Sequence, residues 1–331
     1  MKGLILCAGK GSRLYPFTFS YPKSLIPVAN TPLLHSCIDK LVEQEISEIG
    51  IVIQKSQESL IRSSLESVTR WSRTNITFIY QKDPKGIADA ILQAEHFIGQ
   101  DSFILLLGDN LISISLSQLK KQIVEHGNHA ALLLSEVDSP QDYGIAEVED
   151  QRIVKLVEKP KAPKSNLAVL GAYGFTSSIF KAAKKIEPSA RGEYEITDAI
   201  QWLIQQGYSV SYQQAEIANI DVGTLQRWLD ANRKMLREMP VENDIHPSVI
   251  LQNCKIIAPV SIEAGCILED CVVGPYVSIG ADSTIESCYI RDSILLGNVH
   301  IKQLSHAVVN TVVGTGSTLA GLEARRKGDE E

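Results

Sequence analysis

Apolar residues in the first two thirds of the chain gather in short continuous runs at Gly3–Ala8, Ile49–Gln54, Ile76–Gln81 and Phe103–Gly108. Between them lie the helically spaced stretches Thr31–Glu45, Ser56–Arg70 and Gly86–Phe97. Runs of this length suit strands covered on both faces, and their alternation with amphipathic helices predicts an α/β unit with a mostly parallel sheet. Ligands of such sheets bind beyond the carboxyl ends of the strands. The loop after Ala8, the turn after Gln81 and Asp109 are therefore expected to converge on one cleft.

A helical stretch over Thr224–Glu238 closes this region, and Pro240 opens a change of texture to β-branched and small polar residues without helical period. Cys254, Cys271 and Cys288 are each 17 apart, as are Ile245, Ile262, Ile279 and Leu296, and Val260, Val277 and Ile294. Within one period the apolar anchors Ile262, Leu268, Val273 and Ile279 step by six, five and six residues, so each coil has three short sides with one inward side chain apiece. Stacked coils of this kind form a triangular solenoid. The pattern resembles the left-handed parallel β-helix of hexapeptide-repeat proteins, shortened by one residue per coil, with room for about four coils. The expected division is a first domain over 1–238, a linker at 239–244, the β-helix over 245–318 and a charged tail at 319–331. The cysteine column is expected to be a buried ladder, because ligands repeated in a line do not surround a metal tetrahedrally.

Composition narrows the chemistry. With 331 residues, 44% hydrophobic and 21% charged, the chain can bury a sizeable core. A net charge of −7 opposes a protein that reads a nucleic-acid backbone, though not one that binds small anions in a local basic pocket. No run approaches the roughly 18 apolar residues of a membrane span, so a cytoplasmic protein without a membrane partner is expected. Six cysteines without C-x-x-C spacing are expected as reduced thiols, and Cys7 as a packed strand-end residue rather than a nucleophile.

That local basic pocket is written into Leu6–Val28. After the first apolar run, Gly9 and Gly11 let backbone N–H groups approach an oxyanion, and Arg13 and Lys23 add charge where phosphate oxygens would lie. The spacing fits neither the dinucleotide pattern, which needs a glycine where Leu14 stands, nor the Walker pattern, which needs one at Ala8. Asp109 follows a strand-forming run, where a carboxylate calls for a cationic partner. Asp221 is the other acidic candidate, and two carboxylates plus triphosphate oxygens suit the octahedral oxygen shell of magnesium.

The extended string Gly9, Gly11, Ser12, Arg13, Leu14, Pro16, Thr18, Pro22, Lys23 and Pro27 resembles the N-terminal signature of the sugar-nucleotidyltransferases. The resemblance covers the first domain and implies a Rossmann-like sheet of the nucleotide-diphospho-sugar transferase type. It also implies transfer of a nucleotidyl group from a nucleoside triphosphate to a hexose 1-phosphate, with Mg2+ held by Asp109 and by Asp221. The family commonly has Asp-Thr-Gly at the latter position, where this chain has Asp221-Val222-Gly223. Nucleotide contacts are implied for Leu6, Ala8, Gly9, Gly11, Ser12, Arg13, Lys23 and Asp109, and for the Gln81, Pro84 and Gly86 turn that reads a pyrimidine edge. Sugar-phosphate contacts are implied for Ile87, Tyr143, Gly144, Glu158, Lys159, Gly171 and Arg191, with Arg13, Lys23, Asp109 and Lys159 carrying catalysis. The segments SNLAVLGAYGF and RGEYEITDAIQWLIQQGY, together with the C-terminal β-helix, are most similar to long-type glucose-1-phosphate thymidylyltransferases.

Three alternatives stay open at this point: uridylyl transfer, a second acetyltransferase activity using His246, His300 or His306, and a non-catalytic regulatory relative. A solenoid with open terminal coils also allows self-association.

Overall fold

The computed structural model describes residues 1–321 apart from Ser20, Ser67, Gln151, 216–218, Glu242 and Ser305. Its strands in the first unit are β1 (Lys2–Leu6), β2 (Glu48–Ile53), β3 (Asn75–Tyr80), β4 (Phe103–Leu107), β5 (Asn110–Ile112), β6 (Ala130–Glu136), β7 (Gly144–Glu149), β8 (Arg152–Glu158), β9 (Leu167–Phe175), β10 (Val210–Gln214) and β11 (Asn219–Asp221). A nine-stranded sheet runs in the order β8-β7-β9-β4-β1-β2-β3, with β6 on β9 and β10 on β6. Strands β4, β1, β2 and β3 are mutually parallel, as expected, whereas β9 pairs antiparallel with β4, β6 and β7. The sheet is thus mixed, with its parallel part formed by the first four apolar runs.

Both faces of that part are buried. Leu4 of β1 joins one core with Phe103, Leu105 and helices α3 (Ile87–Gln93), α5 (Ser178–Ala183) and α6 (Ile196–Gln205). Its neighbour Ile5 joins the other with Ile51, Ile104 and helices α1 (Leu33–Val42), α2 (Glu58–Glu66) and α4 (Ser117–Val124). The two-residue side-chain period of a strand sends successive residues into opposite layers, and each buried Leu or Ile stabilises by about 1.5–3 kcal/mol. The expected helix over Ser56–Arg70 is shorter, flanked by single 3-10 turns at Lys55–Gln57 and Thr69–Trp71.

The second compact unit comprises 222–331 together with the excursion Pro27–Thr31. Helix α7 (Leu225–Glu238) groups with the β-helix in this unit. Within this unit the Asn232 carboxamide, 1% exposed, accepts from Ala29 N (2.8 Å) and Ser278 Oγ (2.8 Å). The indole Nε1 of Trp228 donates to Pro27 O (2.7 Å), and Arg233 pairs with Asp292 (2.6 Å). Three parallel sheets of five, five and four strands stack the coils of a left-handed β-helix, with Ile262, Leu268, Val273 and Ile279 inward and buried.

The period is not uniform. Val277 pairs with Ser293 and Ile279 with Leu295, so the columns predicted to continue to Ile294 and Leu296 slip by one at the Asp292 corner. The inward side chain is Leu295, fully buried, because the shortened corner moves the anchor back one residue and a one-residue shift exchanges the two faces. In the next coil Ile290 pairs with Val308, a spacing of 18, which restores the stack with extra residues after Lys302. The last strand runs to Ala320, beyond the expected start of the tail, and the remainder of that tail, 322–331, lies outside the described residues. Among the described residues no helix is long and apolar enough to cross a membrane.

One buried titratable group ties α1 to α2. His35 bonds Ser64 Oγ (2.7 Å) and sits edge-on to Trp71, whose indole N–H donates to Asp39 (2.8 Å) beneath the Arg70–Asp39 pair. Burial, then the Arg70 charge, push His35 from 6.5 down to about 4, against the opposing pull of Asp39. The unfolded chain takes up this proton near 6.5 and the folded chain only near 4. The stability it contributes is therefore complete above 6.5 and is lost as pH falls through about 4. Thermal melts are expected to show Tm declining over that window, with a shallower decline for His35→Gln; equal slopes for the two proteins exclude this origin.

Candidate active site

The loop that leaves β1 is held from both sides. Gln54 Nε2 donates to Ala8 O (2.8 Å), Gly108 N to Leu6 O (2.9 Å), and Thr18 Oγ1 to Gly11 O (2.7 Å). Gly11 takes φ +64 before the 3-10 turn Ser12–Leu14, and a Cβ there would stand 3.0 Å from Lys23 Cβ. Glycine thus serves both the left-handed turn and the close approach of the lysine segment. A Cβ on Gly9 would meet nothing within 4 Å, which leaves its backbone open to a ligand. Cys7 is a packed strand-end residue, and burial pushes its thiol up to about 12.

Asp109 and Asp221 come from distant parts of the sequence and meet through a short ladder. Strand β4 ends at Leu107, Asp109 immediately precedes β5, and β11 pairs antiparallel with β5 so that Asp221 faces Asn110. Lys23, only 7% exposed, places Nζ 2.5 Å from Asp109 Oδ2 and 3.3 Å from Asp221 Oδ1. The guanidinium of Arg13, on a side chain 66% exposed, lies 3.9 Å from Asp221 Oδ2. Two carboxylate oxygens converging on one cationic centre are hard donors that fit magnesium, provided further oxygens come from a ligand. Among the described residues no cluster of three or more His, Cys, Asp or Glu side chains forms a complete metal cage.

At the carboxyl end of β3, Gln81 is buried, and its amide nitrogen donates to Asp89 (2.6 Å) and Gly86 O (3.4 Å). Its orientation is thereby set by α3. Gly86 has φ +108, and a Cβ there would stand 2.5 Å from Tyr194 O. Tyr194 N donates to Lys85 O and Ala88 N to Tyr194 O, so the Pro84–Ile87 turn is laced to the segment preceding α6.

That segment carries the sugar-side candidates. Glu158 ends β8 opposite Gly144, accepts from Thr197 Oγ1 (3.1 Å) and pairs with Arg191 (3.2 Å). Burial, then the neighbouring Glu195 carboxylate, raise Glu158 above the ordinary range, while Thr197 and Arg191 oppose the shift. A side chain on Gly144 would collide with Thr197 Cγ2 (2.5 Å), and one on Gly171 with the Asn110 carboxamide, so neither position has room for a Cβ. Lys159 adopts φ +41, rare for a non-glycine residue, with its N–H bonded to Tyr143 O (2.9 Å). Its exposed ammonium has no ion pair among the described residues.

Arg191, expected to meet a sugar phosphate, is held by carboxylates: Glu195 (2.8 Å), Glu158 (3.2 Å) and Glu193 (3.6 Å). Glu195, Thr197, Tyr194, Asp89 and Asn110 shape the site, and the sequence reading gave them no role. Polar side chains inside Arg191–Asp198 and next to Asp109 were the available signal.

Residues 2–238 match the nucleotidyl transferase family. A glucose-1-phosphate thymidylyltransferase of Streptomyces antibioticus is 36% identical over 281 residues, covering 80% of this chain and 78% of its own length. The UTP–glucose-1-phosphate uridylyltransferase AglF of Haloferax volcanii is 34% identical, over 72% of this chain and 98% of its own. A crystal structure from Bacillus anthracis, described as a glucose-1-phosphate thymidylyltransferase in complex with sucrose, superposes with a TM-score of 0.67 at 34% identity, over 73% of this chain and 98% of that one. A family match across most of the chain, over a sheet whose carboxyl ends carry the matched motif residues, makes this chain a member of the nucleotidyl transferase family.

Proposed function

We propose that the protein joins a hexose 1-phosphate, glucose 1-phosphate first, to dTTP, releasing pyrophosphate and the nucleotide sugar. The observation that carries this reading is the convergence of Lys23 with Asp109 and Asp221 beside the Gly9–Gly11 loop, in a family whose chemistry is nucleotidyl transfer. It includes Asp221 even though Val222 follows it, which supports catalysis over a purely regulatory role. UTP is the competing donor, since uracil and thymine present the same pairing edge to Gln81 and a uridylyltransferase is among the relatives.

No protein nucleophile is needed. An oxygen of the sugar phosphate attacks the α-phosphorus in line, and the chain's work is to bring two mutually repelling anions together. Positioning of this kind supplies about 7–11 kcal/mol of a barrier. Lys159 and Arg191 would hold the attacking phosphate, Arg191 by exchanging Glu158 and Glu195 for phosphate oxygens. Glu158 is then released to accept sugar hydroxyls beside the backbone wall of Gly144 and Gly171, with Ile87 and Tyr143 completing the pocket. Arg13 would bind the departing pyrophosphate, and Lys23 would neutralise the reacting phosphates. Asp109 and Asp221 would hold Mg2+, which supplies charge neutralisation at the triphosphate oxygens. The β-helix is read as a packing element, with His246 in its first coil and His300 in its fourth.

With Mg2+ and glucose 1-phosphate, pyrophosphate release is expected to be fastest with dTTP; faster release with UTP reassigns the donor, and absence of release with every triphosphate overturns the reading. Asp109→Asn is expected to lower turnover by several orders of magnitude while the protein still melts cooperatively, and near-normal turnover removes the metal role. Lys159→Ala is expected to raise KM for hexose 1-phosphate about tenfold or more while the KM for triphosphate holds. Unchanged sugar-phosphate kinetics place the anion elsewhere.

A further inference from the structure

A buried ammonium between two carboxylates leaves little room for a second cation, and this bears on the order in which the site fills. We propose that Lys23 is the resident counter-cation of the Asp109–Asp221 pair: it keeps a divalent ion out of the nucleotide-free site and yields only when a triphosphate offers its ammonium new oxygens. The inference rests on the reading of these aspartates as metal ligands.

The geometry supports it in three ways. The ammonium touches the same oxygens that a metal would need, Asp109 Oδ2 at 2.5 Å and Asp221 Oδ1 at 3.3 Å, whereas a magnesium ion requires about 2.0–2.1 Å to each oxygen. The backbone under the lysine is fixed, since Lys23–Leu25 is a 3-10 turn with Leu25 N on Pro22 O (2.9 Å) and Ile26 N on Lys23 O (3.1 Å), so only the side chain is left to move. Its Cβ lies against the Gly11 backbone, so a phosphate in that loop comes within reach of the same ammonium.

Charge gives the direction. Lys23, with Arg13 at 3.9 Å, already offsets the two carboxylates, and a divalent ion added alone leaves the site with excess positive charge. A triphosphate reverses that excess and gives Lys23 an alternative partner. Metal and nucleotide then favour each other's binding by an equal factor, as linkage requires.

The test is Mn2+ binding to the full chain without nucleotide, read by electron paramagnetic resonance. Wild type and Lys23→Arg are expected to bind Mn2+ weakly. Lys23→Met is expected to bind it about tenfold or more tightly, and Lys23→Met with Asp109→Asn is expected to lose that gain. Equal or weaker binding by a folded Lys23→Met protein overturns the proposal, as does a gain that survives in the double variant. Should Lys23→Met fail to melt cooperatively, Lys23→Gln carries the same comparison. Absence of pyrophosphate release from wild type with every triphosphate sinks the functional reading instead, and the Mn2+ comparison separates the two failures.

Discussion

A lysine ammonium sits between two carboxylates at the mouth of the central strands, and much of the first unit is arranged to make that contact. Two carboxylates this close repel each other and would be costly beside a buried strand end without a cation. Lys23 satisfies both. Gly11 gives up its side chain so that the lysine segment fits, and Gly108 gives up its own where a Cβ would collide with the Cys7 sulfur. The β5–β11 ladder carries Asp221 to the spot, because pairing with Asn110 fixes its position along the strand.

The same economy of charge governs the other side of the cleft. Arg191 is surrounded by Glu158, Glu193 and Glu195, which compensates a partly buried cation and raises the Glu158 carboxyl through burial and like charge. Lys23 and Arg191 thus each have carboxylates of their own in the ligand-free protein, whereas Lys159 has no ion pair among the described residues. Under the proposed function, binding is an exchange of partners rather than the filling of a bare positive hole. Such exchange lets the site stay compact without its anionic ligands, and it favours ligands that bring at least as much negative charge as they displace.

The β-helix unit reaches into the sequence of the first unit through Pro27–Thr31, four residues after Lys23. Ala29 and Asn30 take left-handed backbone conformations at φ 47 and 61, and both are hydrogen-bonded inside the second unit, Ala29 to Asn232 and Asn30 to Ser261. Strained backbone persists where its surroundings over-determine it, and the buried Asn232, tied also to Ser278, provides that surrounding.

Local sequence determined the repeating layers. Short uninterrupted apolar runs alternating with amphipathic helices suit strands buried on both faces, and Gly3–Ala8 through Phe103–Gly108 were legible as the parallel part of the sheet for that reason. The period in the cysteine and isoleucine columns marked the β-helix, because each coil repeats one inward position per side. The glycines and cations of Leu6–Val28 marked a candidate anion site, and the structure brings its Lys23 to Asp109 and Asp221. Tertiary structure alone decided the β9 reversal, which depends on pairing between distant strands. It also decided the slip at Asp292 that puts Leu295 rather than Leu296 inside, since a shortened corner leaves the hydrophobic count almost unchanged while exchanging faces. The partners of Lys23 and Arg191 belong to the same class: a charge announces itself in sequence, but which opposite charge comes within 4 Å follows from how remote strands are brought side by side.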